Sequence, residues 1–369
     1  MNNLKKPNRN RLISALKLKE ADRVPNFEFT LMRKNTEAIL GTEKMAEVRE
    51  RYKRLETVWP ARSESEQQDR SALADYSCYL PPEEYRYLLE TVGQDAVQCT
   101  LSWKPKSRKP QHQSVLARAQ IGIITDRSDL DQLPPPPSIE EMMAALDHYI
   151  EAYKGSDIGM GVMLRSVFCN TYETLGMENF LLKFYDDPEL INILMDKFAN
   201  YGCEITESIK ERDVDFLAID DDLCANSGFI VDPKFIKEQW IPRTKEIIAP
   251  AISKGIPIAF HCCGNIEDVI PMAIEMGISA INPIQPNCND IYKYKKEYGS
   301  DICFIGNMDL AGVLVYGTPE EVREDTKRHI EKLADGGGYV VSSSHSITDD
   351  VPPENYLAMV EATWENGRY

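Results

Sequence analysis

From residue 138 to the C-terminus the chain repeats one pattern: a short apolar run, then a longer amphipathic stretch opened by a helix-start signal. The spacing predicts helices over 138–153, 233–254, 266–276, 290–298, 319–334 and 353–364. It predicts strands over 158–164, 215–220, 256–263, 280–284, 302–307 and 339–343. A long helical region follows the first of these strands, with Asp187-Pro188 as a start signal near its middle. Upstream, Asn8 to Lys17 reads as a short helix, Val24 to Phe29 as a brief strand, 35–52 as a charged helical region and Asp95 to Trp103 as a strand. Counting from Val24 gives eight strands, most of them followed by a helix. Repeated β-then-α units imply parallel strands joined by right-handed crossovers. Eight units favour a closed (β/α)8 barrel over an open doubly wound sheet. No G-x-G-x-x-G follows the first strand, which counts against a dinucleotide fold. Gly336-Gly337-Gly338 precedes a strand and reads as a helix-terminating turn. The expected architecture is therefore α/β: one domain over residues 1–369, a TIM barrel with an N-terminal helical extension and a small β excursion.

Two stretches interrupt the rhythm. Thr57 to Leu80 is polar, serine-rich and acidic, and reads as a long surface loop. Lys104 to Pro137 contains Ile121-Gly122-Ile123-Ile124-Thr125 and ends in four prolines, a β excursion closed by a stiff connection. Composition limits the partners. A hydrophobic fraction of 43% suffices for a substantial core, and a formal charge of −17 argues against nucleic acid or an anionic membrane. No apolar run reaches membrane-spanning length, and Met1 to Lys19 lacks the apolar core of a signal peptide. A cytoplasmic location is expected. The nine cysteines are odd in number and show no disulfide rhythm; Cys99, Cys203 and Cys303 sit in apolar contexts.

If the barrel forms, reacting groups belong at the C-terminal ends of its strands. Glu28, the Asp220-Asp221-Asp222 run, His261, Cys263, Gln285, Asp309 and His345 all fall there. On a strand, His261 and Cys263 face one way and Cys262 the other. Imidazole and thiolate are zinc donors at about 2.0–2.3 Å, and catalytic sites use three protein ligands with one open position. A buried histidine beside a core cysteine is the plainer alternative. His345, among Ser342, Ser343, Ser344 and Ser346, can close a metal shell, bind an acidic group or donate a proton; a histidine held by serines in a loop is its plain alternative. Alternation sends Asp220 and Asp222 to one side and Asp221 to the other, so at least one faces the pocket. Cys169 and Cys224 read as buried thiols.

The chain resembles the uroporphyrinogen decarboxylase superfamily, which includes cobamide-dependent methyltransferases. The resemblance runs over nearly the whole chain and is carried by ordered motifs. They are Asp220-Asp221-Asp222-Leu223, Val231-Asp232-Pro233-Lys234-Phe235, His261-Cys262-Cys263-Gly264-Asn265-Ile266 and Asn282-Pro283-Ile284-Gln285-Pro286. Phe304-Ile305-Gly306-Asn307-Met308-Asp309, Gly317-Thr318-Pro319-Glu320-Glu321-Val322, Pro352-Pro353-Glu354-Asn355 and Gly367-Arg368-Tyr369 follow. The resemblance implies the (β/α)8 barrel. Its methyltransferases carry a His-x-Cys zinc motif, matched by His261-Cys262-Cys263, and a distant third cysteine, replaced here by His345. Its decarboxylases carry a histidine at the position of His345, but also an arginine-rich N-terminal motif and an aspartate for the pyrrole nitrogens. Here Phe27 to Lys34 holds only Arg33, and the strand from Asp95 to Leu101 has no aspartate at its C-terminal end.

The implied function is a corrinoid-linked methyltransferase moving a methyl group between a small methyl ether, amine or thiol and a corrinoid protein or thiol. His261, Cys263 and His345 would form the catalytic group and hold zinc, with the corrinoid on a partner protein. Glu28, Asp221, Asp222, Gln285 and Arg165 would bind substrate. The alternatives are a decarboxylase or lyase of a small carboxylic acid or tetrapyrrole, and a non-catalytic corrinoid- or metal-binding protein.

Overall fold

The computed structural model describes residues 6–55, 80–103 and 122–369. Among the described residues nine strands form: β1 Ala96–Thr100, β2 Gly159–Arg165, β3 Phe216–Asp220, β4 Cys224–Ala225, β5 Gly228–Phe229, β6 Ile258–His261, β7 Ala280–Asn282, β8 Cys303–Ile305 and β9 Tyr339–Val340. The described residues gather into two compact units. The first draws on Met1–Cys99, Asp147–Gly161 and Ser279–Tyr369, the second on Thr100–Leu146 and Val162–Ile278.

In the second unit, β3 and β6 pair in parallel with Asp220 opposite His261. The Leu101 N–H donates to the Met163 carbonyl at 2.8 Å, and the Ser166 N–H to the Asp220 carbonyl at 2.9 Å. Every residue of β2, β3 and β6 is buried. Burial on both faces is why these strands read as nearly continuous apolar runs rather than alternating ones. Helices Pro188–Ile209 and Ile241–Ser253 pack together, and Gly202 lets them close: a Cβ there would stand 3.2 Å from Ile247. The polar residues of this unit thus collect where the strands end.

In the first unit, β7, β8 and β9 are parallel neighbours. The Val24–Phe29 strand expected from the sequence is reduced to one isolated parallel bridge, Asn26 to Val341, with a second just beyond it, Leu31 to Ile347. Pro25 contributes to this, because it has no N–H to give a ladder. Eight regular staves are therefore not present, and the described residues show parallel α/β architecture rather than a closed barrel. Asp95 anchors the segment: its carboxylate accepts the Asn8 and Asn26 amides at 2.8 and 3.0 Å and an Arg11 N–H at 3.1 Å.

Other elements refine the reading from sequence. The long helical region is three helices, Val167–Leu175, Met177–Asp186 and Pro188–Ile209. Gly176 separates the first two with φ 77°, and the Asp187 side chain caps the third by accepting the Leu190 N–H. Helix Pro82–Val92 was not read from the sequence, although Pro at its start, Glu83 and Glu84 in its first turn and a left-handed Gly93 after it are ordinary signals. The expected loop lies outside the described residues except at Leu80; of the expected β excursion, residues 122–137 are described and hold no strand but a 3-10 helix, Arg127–Gln132, capped by Asp126.

Candidate functional site

The ends of β2, β3 and β6 bring one polar cluster together in the second unit. Arg165 is buried and forked between two carboxylates, Asp220 Oδ2 at 2.6 Å and Glu173 Oε1 at 2.5 Å. The expected substrate arginine is thereby an ion-pair partner of Asp220. Beside it, Asp222 Oδ1 accepts the Cys263 amide at 2.8 Å, and the Asp222 amide donates to Cys169 Sγ at 3.0 Å. His261 Nε2 lies 3.6 Å from Cys263 Sγ. Two donors at zinc distances on a tetrahedral centre stand about 3.5 Å apart, so the pair matches one metal without moving. Burial raises the Cys263 thiol well above the usual range, and the Asp222 and Asp220 charges raise it further. It is a protonated thiol until a cation or another positive charge meets it.

Asp221 points the other way, as strand alternation requires. Its carboxylate accepts the Phe168 and Cys169 amides at 3.1 and 2.6 Å and the Trp240 indole N–H at 2.6 Å. It thus satisfies amides in the first turn of helix Val167–Leu175. Burial raises Asp221 to about 6, against those three donors. Cys262 is fully buried opposite Cys263, with Sγ 3.4 Å from the Leu223 N–H. Cys169 is buried too, but its sulfur also meets Tyr172 Oη at 3.2 Å and belongs to the polar cluster. Reading it as a core thiol from sequence misses this, because Asp222, beyond the end of β3, reaches it only in the fold.

Gly264 holds the turn after Cys263. Its φ is +85°, and a Cβ would stand 2.5 Å from the Cys224 carbonyl oxygen. The Asn265 N–H donates to the Ala225 carbonyl at 2.9 Å, which fastens this turn to the β4–β5 hairpin.

The remaining expected residues belong to the first unit. Glu28 is buried, its carboxyl accepting the Ser343 amide and the Ser343 hydroxyl, each at 2.7 Å. Burial raises it to about 8 in spite of those bonds. His345 follows, its carbonyl 3.1 Å from Ser343 Oγ. Gln285 uses its own carbonyl to accept Asn289 Nδ2 at 2.9 Å, and Asp309 caps the Ala311 amide at 3.0 Å. A group missed in the sequence is His329, which bonds the Asp325 carbonyl at 2.8 Å and Asn307 Oδ1 at 3.1 Å. Burial, with Arg328 and Lys332 nearby, lowers it to about 4. His329 and Asn307 border a cleft of about 1160 Å³ with Asp309 and Tyr316 on its wall. Histidine on the buried face of an amphipathic helix carries no distinguishing signal in sequence.

The family model for uroporphyrinogen decarboxylase (URO-D) matches residues 99–365, and the chain belongs to that family. It is 25% identical over 185 residues to the methylcobamide:CoM methyltransferase MtbA of Methanosarcina acetivorans, covering 50% of this chain and 52% of that protein. It is also 33% identical over 260 residues to the uroporphyrinogen decarboxylase of Serratia proteamaculans, covering 67% of this chain and 71% of that protein. The chain spans about half the length of the first curated relatives it matches. A solved methyltransferase from Methanosarcina mazei superposes with a TM-score of 0.63 at 18% identity, covering 97% of this chain and 98% of that one. At that identity the likeness concerns the fold.

Proposed function

We propose that this URO-D family member is a zinc-assisted, corrinoid-linked methyltransferase built on one parallel α/β domain over residues 1–369. The observation that carries the reading is the 3.6 Å approach of His261 Nε2 and Cys263 Sγ on one strand end. Relatives named as methylcobamide:CoM methyltransferases and as a methylated-thiol–coenzyme M methyltransferase support it at family level.

His261 and Cys263 hold the metal, and His345 supplies the third ligand or donates a proton to the leaving group. Bound zinc supplies a Lewis acid that acidifies a thiol or polarises the heteroatom carrying the methyl group. A metal held there would displace the Cys263 thiol proton to solvent, and the Asp222 carboxylate, which accepts the Cys263 amide, fixes the loop that presents the sulfur. Arg165 is a positioning residue: it pairs with Asp220 at the end of β3 and with Glu173, and so holds both carboxylates in place. Glu28 and Gln285 are left to orient a small methylated substrate, with the corrinoid on a separate protein in the cytoplasm. Asp221 contributes through the helix it caps.

Zinc-loaded protein incubated with methylcobalamin and a small thiol tests the reaction. Demethylation of the corrinoid, followed by its absorbance and abolished in Cys263→Ala, is expected. Release of carbon dioxide from a small carboxylic acid, with no methyl transfer to any thiol offered, would instead establish the decarboxylase chemistry for which other relatives are named.

A further inference from the structure

The polar cluster of the second unit contains a second set of ligand atoms. Cys169 Sγ and one carboxylate oxygen each of Asp220 and Asp222 lie within 4.8 Å of one another. Cys169 and Asp220 are buried. The cysteine is held in place from two directions: its amide is tied to Asp221 Oδ1 at 2.6 Å, and its sulfur accepts the Asp222 amide at 3.0 Å. Charge at this spot is unbalanced. Asp220, Asp222 and Glu173 bring three carboxylates, and the guanidinium of Arg165 answers Asp220 and Glu173. Two more oxygens on the same helix start are buried without a hydrogen bond, Ser166 Oγ and Asn170 Oδ1. Ser166 is 2% exposed, and its usual capping role has passed to Asp221, which leaves the hydroxyl without an intrahelical duty.

We propose that Cys169, Asp220 and Asp222 form a site for a divalent transition cation, separate from the His261–Cys263 pair. One soft sulfur with two carboxylates suits a borderline ion such as zinc or cobalt(II), whereas magnesium and calcium take oxygen alone. A cation there offsets the surplus negative charge that Arg165 leaves. Loading removes the thiol proton of Cys169, which passes to solvent as the sulfur–metal bond forms. The site does not depend on the zinc reading of His261 and Cys263.

The test uses the full chain, stripped of metal, loaded with cobalt(II) and dialysed, with bound cobalt and thiolate-to-cobalt absorption both measured. Cys169→Ala is expected to lose one cobalt equivalent and the absorption that goes with it, while Cys263→Ala retains that equivalent. Asp222→Asn, which keeps Oδ1 as acceptor for the Cys263 amide, is expected to bind the same equivalent at least tenfold more weakly. This second variant decides the matter if Cys169→Ala folds poorly. Unchanged cobalt content and absorption in Cys169→Ala, or unchanged affinity in Asp222→Asn, would overturn the proposal. A chain that holds only the Cys169-dependent equivalent upholds this site and refutes the His261–Cys263 one; the reverse result refutes this site alone.

Discussion

Glu28 and Asp221 show how burial divides carboxyls that look alike in a sequence. Glu28 titrates at about 8 when folded, against 4.5 ordinarily. The folded chain therefore keeps a proton that the unfolded chain releases, and the stability this brings is lost as pH rises from 4.5 towards 8. Glu28→Gln should flatten that slope and raise stability at pH 8 by about 2–5 kcal/mol, read from denaturant melts at pH 5 and pH 8. An unchanged slope would show that Glu28 is ionised at neutral pH. Asp221 answers three donors, so Asp221→Ala should cost about 2–4 kcal/mol by stranding them. A variant of full stability with impaired substrate binding would instead return Asp221 to the substrate. From sequence, the facing of the triple aspartate was legible, since alternation alone separates Asp221 from its neighbours. What each side met was not, because Trp240, Cys169 and Arg165 come from other elements.

At the scale of elements, the turn after β6 is the piece on which the site depends. Gly264 has a left-handed φ and no room for a Cβ against the Cys224 carbonyl. Gly264→Ala should destabilise by about 2 kcal/mol or more and loosen metal binding at Cys263. Tight zinc binding in a stable variant would mean that this turn does not set the geometry. The β-then-α order from residue 138 onward was readable because doubly buried strands and capped helices leave separate signatures. The Asp187-Pro188 signal also marks a real boundary, where the Asp187 side chain accepts the Leu190 amide. Two elements escaped for different reasons. Val24–Phe29 has strand composition, but around Pro25 it forms only one bridge. Helix Pro82–Val92 carries its start and stop signals beside a polar stretch that obscured them.

Over the whole molecule, membership of the URO-D family and the parallel α/β architecture agree with the reading from motifs. The chemistry is narrower than the fold, since relatives of similar identity are named for methyl transfer and for decarboxylation. His261 and Cys263 at 3.6 Å favour the first. Methyl transfer of this kind requires a metal bound through Cys263, which metal analysis after preparation in zinc-supplemented buffer measures. One zinc equivalent is expected that disappears in Cys263→Ala and persists in Cys262→Ala, whose sulfur lies on the opposite face. Protein with no zinc that depends on Cys263 would contradict it.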